Sequence, residues 1–346
     1  MSKNECKQEC VMKKTSIGGQ ALIEGVMMRG PQRTAMAVRH TSGEIRMEEF
    51  DNPVSKCPWI KKVPLFRGLF GMIDSLRFGY KCLMRSAELC GLEEELEEAL
   101  DEEAAKKAAL AEDSSAEETS AEDVPAEPKQ DNKKKAGVLM GVVMVIGTIL
   151  GVALSLVLFM YLPIQLFRWL TMAFPSLENS YLRGIFEGLV RILIFLGYML
   201  AVSRMKDIRR TFMYHGAEHK SIFCYEKGLP LTVENVRAQK RFHPRCGTSF
   251  LVLMLVVGII ISILIPISHP VWRTVVKLGL LPLTVGIGYE LIKLAGRHDN
   301  WFTRVISAPG VWMQHITTVE PDDAMIECAI KALEAVIPED PEADKW

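Results

Sequence analysis

The stretch TSFLVLMLVVGIIISILIPIS, residues 248–268, decides the fold class. It runs for 21 residues without a charged side chain, and roughly 20 apolar residues suffice for a helix to cross the hydrocarbon core of a bilayer. The stretch AGVLMGVVMVIGTILGVALSLVLFM, residues 136–160, passes the same test over 25 residues. Both stretches therefore predict transmembrane helices.

Two further stretches, residues 181–203 and 274–295, are largely apolar but contain charged side chains. A charge near the bilayer centre costs about 3 kcal/mol on insertion scales, and a long apolar remainder offsets that cost. We therefore predict four transmembrane helices in a mainly α, polytopic membrane protein. The charged positions are Glu187 and Arg191 in the first stretch and Lys277, Glu290 and Lys293 in the second.

Basic residues predict how these helices are oriented. The loop at residues 204–247 holds ten lysines and arginines, and Lys133, Lys134 and Lys135 precede the first helix. The other two loops hold few, so the positive-inside rule predicts that both termini and the 204–247 loop of this cell-membrane protein are cytoplasmic. All eight cysteines then fall on the reducing side, where we expect free thiols or metal ligands. The first 16 residues lack the apolar core of a signal peptide.

The segments before the first span differ in composition. One predicts a small β unit, with strands near 35–40 and 45–50 joined by a turn at Gly43. An amphipathic helix with a wide apolar face and basic flanks follows, as in helices that lie in a membrane interface. The next segment is rich in Ala and Glu and has too few large apolar residues to fold. The predicted divisions are an N-terminal tail (1–16), the small N-terminal β unit (17–62), the amphipathic helix on the cytoplasmic side (63–92), an acidic disordered tether (93–135), a four-helix membrane domain (136–320) containing the 204–247 loop, and a C-terminal tail (321–346).

The cytoplasmic loop contains the motif YHGAEHK at residues 214–220. On a helix, His215 and His219 share one face one turn apart, as a pair of nitrogen ligands to one metal ion requires. His-x-x-Glu-His is also the signature of inverted zinc hydrolases, in which the histidines bind zinc and the glutamate, here Glu218, acts as general base. The alternative is a pair of hydrogen-bonded core histidines on a helix that Gly216 weakens.

A second motif, RFHPRCGTSF at residues 241–250, lies just before the third predicted span. Its His243 and Cys246 are close in sequence, and both residue types are ordinary zinc ligands. With His215 and His219 they would complete a structural set of four, whereas three of them and a water would make a catalytic site. Without a metal, the stretch is a turn in which Cys246 is a small buried residue.

The glycine-rich stretch GGQALIEGVMMRGP, residues 18–31, lacks the spacing of a phosphate-binding loop. In a functional interpretation, Glu24 is a further metal ligand or an acid/base group, and Arg29 holds an anionic group of the substrate. In a structural interpretation, the glycines form turns that dock the β unit on the membrane helices.

A last polar motif, GRHDN at residues 296–300, follows the fourth predicted span on the same side of the membrane. Its polar residues are candidate substrate contacts, or partners that orient a ligand imidazole. A polar cap on the helix end is the alternative. The four candidates are Arg297, His298, Asp299 and Asn300.

These four motifs, in this order around apolar spans, resemble the bacterial YqhQ-like family of multi-pass membrane proteins. The resemblance covers nearly the whole chain except the first 16 residues, the acidic tether and about the last 25 residues. The family is a group of unknown function whose members are described as metal-dependent enzymes by prediction. The resemblance therefore implies a membrane protein with a metal site and says little about the reaction.

The formal net charge of −1 gives no reason to expect nucleic acid as a partner. We expect the lipid bilayer as partner, with a second copy of the chain or other membrane proteins as further candidates. One hypothesis is an integral membrane, metal-dependent hydrolase that uses zinc or another divalent transition metal at its cytoplasmic face. The other is a non-enzymatic membrane scaffold or assembly factor with a structural metal site or none. A transporter built on Glu187, Arg191 and Glu290 is weaker, because four spans leave little room for a polar pathway.

Overall fold

The computed structural model describes residues 14–52, 63–91, 94, 142, 145–265, 267, 269–298, 300–340 and 342–345. These residues are mainly helical, with one small antiparallel sheet near the N-terminus. The chain forms two compact units, Met1–Cys90 with Pro163–Trp346, and Gly91–Leu162. The acidic tether expected at 93–135 lies outside the described residues apart from residue 94, and so do Cys6, Cys10 and Cys57.

The sheet is a meander whose strands pair in sequence order. The strands are β1 Gly18–Leu22, β2 Gly25–Arg29, β3 Arg33–Arg39 and β4 Ile45–Asp51. β3 and β4 occupy the two strands predicted from the sequence, and the turn between them contains Gly43, whose φ of 88° favours glycine. The glycine-rich motif supplies β1 and β2. The small β unit is therefore confirmed.

Helices make up most of the remaining described residues. They are α1 Phe66–Leu89, α2 Val145–Ala173, α3 Ser180–Val202, α4 Lys206–Glu226, α5 Val233–Arg237, α6 Gly247–Leu264, α7 Pro270–Gly279, α8 Leu281–Arg297, α9 Trp301–Thr317 and α10 Asp323–Glu334. α4 contains the YHGAEHK motif. Two residues after its end lies Gly228, whose φ is 66° and whose N–H donates to the carbonyl of Tyr225 at 2.9 Å, so glycine is favoured beyond this helix end.

Three of these helices, α2, α3 and α6, are long and apolar enough to cross a membrane. α7 and α8 pass the same test together but are bent by 45°, so the described residues contain three candidate spans, or four if the bent pair is one span. A single helix over 274–295 was expected, and the structure differs there. Pro282 in the first turn of α8 has no N–H with which to continue the hydrogen bonding of α7.

The first predicted span also differs in extent. The sequence predicts its end at residue 160, whereas α2 continues to Ala173, so part of the expected loop is helical. Of residues 136–144, only residue 142 is described. The spans predicted at 181–203 and 248–268 correspond to α3 and α6.

The charged residues of α3 and α7 are paired. The carboxylate of Glu187 accepts hydrogen bonds from Lys277 at 2.7 Å and from Arg191 at 3.3 Å. Arg273 is 1% exposed and donates to the carbonyls of Ser262 at 3.1 Å and Ile265 at 3.0 Å, at the end of α6. Because a buried charge is costly unless it is paired, these contacts explain how the helices accommodate their polar residues.

The largest buried core lies between the sheet, α4 and α10. α10 contacts β2, β3 and α4, and Ile326 and Leu333 are fully buried in this core. The expectation of a C-terminal tail over 321–346 therefore differs from the structure. Asp322 starts α10 as an N-cap whose side chain accepts the N–H of Met325 at 2.8 Å, and the apolar residues of α10 recur at helical spacing.

Residues from the two ends of the described chain meet beside α4. Thr15 pairs with Lys345 in an antiparallel bridge, and its hydroxyl donates to the carboxylate of Asp344 at 2.7 Å. The N–H of Thr15 donates to Glu226 of α4 at 3.0 Å. Asp344 and Glu226 are 0% and 1% exposed. One buried polar cluster therefore joins both chain ends to α4, and the last residues of the expected N-terminal tail belong to the fold.

Candidate metal centre

α4 carries both histidines of the YHGAEHK motif on a buried segment. Every residue from 214 to 222 is buried, because the sheet, α10 and the segment after α9 surround this part of the helix. His215 and His219 lie one turn apart, and their ring centroids are 4.4 Å from each other. The helical spacing read from the sequence therefore brings the two imidazoles together.

Gly216 weakens an isolated helix, but the packing of α4 requires it. A Cβ on Gly216 would lie 2.1 Å from the carbonyl oxygen of Val319, well inside van der Waals contact. The N–H of Val319 also donates to the carbonyl of Phe212 at 2.9 Å. The absence of a side chain thus allows the segment after α9, which begins at Thr318, to run against α4.

Replacing Gly216 with alanine is expected to destabilise the protein by about 2 kcal/mol, because the added methyl group must displace backbone rather than a flexible side chain. Thermal unfolding of the detergent-solubilised protein measures the change. Gly197→Ala on α3 is the matched control: nothing lies within 4 Å of its Cβ position, so its melting temperature should stay the same or rise slightly. Equal melting temperatures for the two variants would contradict the close approach of Val319.

Backbone carbonyls hold both imidazoles by their Nδ1 atoms. Nδ1 of His215 donates to the carbonyl of Thr317 at 2.9 Å, and Nδ1 of His219 donates to the carbonyl of Arg241. Nε2 of His215 lies 3.1 Å from Sγ of Cys246. Nε2 of His219 is buried and has no hydrogen-bond partner among the described residues. A buried nitrogen of this kind is costly unless something binds it, and a metal ion would do so.

Three donor atoms converge at this point. One donor atom each from His215, His219 and Cys246 lies within 4.8 Å of the other two. Two imidazoles and one thiolate are a known ligand set for zinc, and three protein ligands leave the fourth position of a tetrahedral site open. The residue types and their convergence therefore fit zinc.

The electrostatics of Cys246 also suit a metal ligand. Cys246 is the N-cap of α6 and is 8% exposed. Burial alone raises the pKa of its thiol, but the imidazoles of His215 and His219 beside it lower that pKa well below its ordinary value. Likewise, burial lowers the pKa of His215, and the neighbouring sulfur raises it by more, to about 9. The arrangement favours the thiolate, which is the form of cysteine that binds metal ions.

Glu218 lies next to the cluster, with its Oε2 3.8 Å from Nε2 of His215. Burial raises the pKa of this carboxyl group, and the imidazoles of His219 and His215 offset part of the rise. Gly19 in β1 lies against this side chain, because a Cβ on Gly19 would lie 2.8 Å from Cγ of Glu218. The glycine-rich motif thus lets β1 reach the candidate base.

His243, the fourth predicted ligand, lies outside the cluster of donor atoms. Its ring centroid is 5.7 Å from that of His219, but its Nε2 faces Glu226, 3.6 Å from the carboxylate Oε2. Arg245 pairs with the same carboxylate. Glu226 lies on the buried face of α4, so the imidazole of His243 faces this carboxylate rather than the candidate ligands. The structure therefore brings together three of the four predicted ligands.

A cavity of about 340 Å³ opens beside the cluster. Its lining includes Glu218, His219 and Cys246, and Arg29 at the end of β2 lines it as well. The functional interpretation, in which Arg29 holds an anionic group of the substrate, requires such a placement. A ligand in the cavity would contact both Arg29 and the metal centre.

Glu24 does not reach this cavity. Its carboxylate pairs with Arg210 at 2.6 Å and accepts a hydrogen bond from the hydroxyl of Tyr214 at 3.3 Å. Glu24 occupies the β1–β2 turn with a φ of 50°. The interpretation of Glu24 as a metal ligand or acid/base group therefore differs from the structure, which uses it to fasten the hairpin to α4.

The GRHDN motif forms the junction between α8 and α9. The side chain of Asn300 caps α9 by accepting the N–H of Thr303 at 2.9 Å. Arg297 and His298 end α8, and Asp299 lies outside the described residues. None of the three described residues lines the cavity. The structure therefore favours the alternative of a polar cap.

The site also depends on groups that the motifs do not indicate. The carbonyls of Thr317 and Arg241 orient the imidazoles, and any residue type can supply a carbonyl. Gln314 of α9 is 0% exposed; its amide donates to the carbonyl of His243 and accepts the N–H of His243, both at 2.7 Å. A glutamine in an otherwise largely apolar helix is the signal that could have indicated this role.

The chain is similar to known proteins over most of its length. The sequence profile of the family described as "Protein of unknown function (DUF1385)" matches residues 63–339, a range that includes α4 and Cys246. The chain is 33% identical over 325 residues to "Uncharacterized protein YqhQ" of Bacillus subtilis (strain 168), and the match covers 92% of each chain. No solved structure matches the chain.

Proposed function

Since the chain belongs to the DUF1385 family of proteins of unknown function, as its YqhQ-like motifs predict, we propose its activity from the site: a membrane-bound, metal-dependent hydrolase. His215, His219 and Cys246 hold zinc or a similar divalent transition metal, and Glu218 is the general base. The observation that carries the proposal is the convergence of three donor atoms within 4.8 Å.

The hydrogen bonds of the imidazoles support metal binding. In protein metal sites, a ligand histidine usually donates its other ring N–H to a carbonyl or carboxylate, which fixes the tautomer and the ring orientation. Both Nδ1 atoms do so here, to the carbonyls of Thr317 and Arg241. Two core histidines without a metal could make the same bonds. They would not explain why the buried Nε2 of His219 has no hydrogen-bond partner among the described residues.

The residues around the cluster suit hydrolysis. Zinc supplies a Lewis acid that acidifies a water molecule and polarises a carbonyl or phosphoryl group. Glu218 would accept a proton from the attacking water and return it to the leaving group. A carboxylate whose pKa is raised by burial is a better proton acceptor and donor near neutral pH than an ordinary one. The 340 Å³ cavity would give a substrate access to Glu218 and to the candidate ligands His219 and Cys246.

The same proposal assigns the site to the cytoplasmic side of the cell membrane. Cys246 immediately precedes α6, which is a candidate span. The lysine- and arginine-rich segment 204–247 lies at this end of the helix, and the positive-inside rule assigns such a segment to the cytoplasm. A substrate would therefore arrive from the cytoplasm or from the inner leaflet.

Purified protein is expected to contain about one zinc, or an equivalent transition metal, per chain. Metal analysis of protein extracted and purified in detergent without chelators measures this content. Dialysis against a strong chelator should remove the metal, and zinc added back should restore the original ratio. A wild-type preparation with intact fold and no stoichiometric metal would refute the proposal.

A second candidate function rests on the 3.1 Å contact between His215 and Cys246. A thiolate at a helix N-terminus beside an imidazolium is the arrangement of a cysteine nucleophile. In that case the hydrolase would need no metal. Chelated wild-type protein would keep its activity, and iodoacetamide would abolish the activity by alkylating Cys246.

A further inference from the structure

Arg29 has no anionic partner in the part of the chain that the structure describes. It is half-buried, and its guanidinium lies 5.7 Å from the ring centroid of Phe78, where cation–π attraction holds it. Arg245, the other arginine of the cavity, is neutralised by Glu226. A guanidinium presents a planar set of donors that matches a carboxylate or phosphate. Arg29 therefore provides the cavity with an anion-binding group.

Helix α1 forms one wall of this cavity through Ser75 and Phe78. Although α1 belongs to a compact folded unit, much of its remaining surface is exposed and apolar. Basic residues are interspersed with these apolar residues, as in helices that lie in a membrane interface. The exposed apolar residues are Phe66, Phe70, Ile73, Leu76 and Tyr80, and the exposed basic ones are Arg77, Lys81 and Arg85.

The contacts of α1 explain where this apolar surface lies. Its N-terminal half packs on α8, the second part of the bent candidate span: a Cβ on Gly68 would lie 2.5 Å from the side chain of Tyr289, and Arg67 forms an ion pair with Glu290. Its C-terminal half packs on the sheet, where Phe78 meets Phe50 with ring centroids 6.0 Å apart. α1 thus connects a candidate span to the sheet.

We propose that the cavity takes the acidic headgroup of a membrane amphiphile. Arg29 binds the phosphate or carboxylate of the headgroup, and the hydrocarbon tail lies along the exposed apolar surface of α1 in the bilayer. The inference deepens the proposed hydrolase by naming its class of substrate. A soluble anion would use Arg29 but would give the apolar surface of α1 no role.

Binding of a fluorescent-tailed phosphatidic acid to the full-length protein in dodecyl maltoside micelles tests this inference. Fluorescence anisotropy gives the affinity, and unlabelled phosphatidic acid, phosphatidylcholine and inorganic phosphate are the competitors. We expect phosphatidic acid to compete at least about tenfold better than phosphatidylcholine, because it offers Arg29 an unneutralised phosphate. Inorganic phosphate should compete poorly. Equal competition by inorganic phosphate would overturn the amphiphile, and equal competition by phosphatidylcholine would overturn the acidic headgroup.

Two variants test the residues. Arg29→Gln should weaken binding roughly tenfold while leaving the metal content unchanged. Leu76→Gln, at a position 63% exposed, should weaken binding of the lipid without affecting the fold. The matched control is Arg33→Gln on β3, whose side chain is 61% exposed and does not line the cavity; it should bind as wild type. Wild-type affinity in Arg29→Gln would refute the role of Arg29. Selective lipid binding by a protein that holds no metal would leave this inference standing and refute the hydrolase.

Discussion

Substitution of His219 by alanine is expected to abolish the stoichiometric metal content of the purified protein. His219 supplies one of three donor atoms, and its Nε2 has no hydrogen-bond partner among the described residues. With two protein ligands left, half of the positions of a tetrahedral zinc site would lack a protein donor. His215→Ala should have the same effect. Metal analysis of the variants, purified in parallel with wild type, provides the measurement.

His243→Gln is the control that makes this result specific. His243 is also a buried histidine near α4, but its imidazole faces Glu226 rather than the donor cluster. The variant should therefore retain about one metal ion per chain. Loss of metal from His243→Gln would instead support the set of four ligands predicted from the sequence. Retention of metal in both His215→Ala and His219→Ala would rule out the proposed centre.

Replacement of Glu218 by glutamine is expected to lower the rate of hydrolysis by about 10²- to 10⁴-fold, because the amide cannot accept the proton of the attacking water. Glutamine has nearly the same shape, and Glu218 is not among the three donor residues, so the metal content should not change. The rate can be followed with a panel of chromogenic carboxylic and phosphoric esters, including amphiphilic ones. The measurement begins with the ester that the wild-type protein hydrolyses fastest.

Asp207→Asn on the same helix is the matched control, since it removes an exposed carboxylate in the first turn of α4, far along the helix from the metal centre. It should leave the rate unchanged. If Glu218→Gln keeps both its metal and full function, the centre is structural, as expected for a membrane scaffold or assembly factor. If Glu218→Gln loses its metal, the carboxylate is a ligand and not a base.

The candidate site is predictable from the sequence to the extent that local spacing determines it. His215 and His219 converge because four residues make about one helical turn, and Cys246 joins them from the start of the next span. His243 lies apart from them because its imidazole faces Glu226, which is eleven residues beyond His215 on the same helix. Only the packing of the 241–250 turn against α4 decides which group the imidazole faces.

Longer-range features of the fold were harder to predict for similar reasons. α10 has an N-cap at Asp322 and apolar residues at helical spacing, but whether a short amphipathic helix is buried depends on the sheet it meets. Pro282 was a local signal for the break between α7 and α8. An average of residue hydropathy along the segment does not reveal such a break. Glu24 was predictable as a turn residue only with knowledge of Arg210, which lies 186 positions away.

The buried cluster of Thr15, Asp344 and Glu226 has a consequence for how the protein is made. The ribosome synthesises Asp344 and α10 after all the candidate spans, so the hydrophobic helices can enter the membrane while the sheet still lacks the partner that covers it. Contacts between residues 329 positions apart, such as Thr15 with Asp344, carry a large loop-closure entropy and form late. The candidate ligands His215 and His219 lie on the same helix α4, so the core that packs around this helix is complete only after the last helix has been translated.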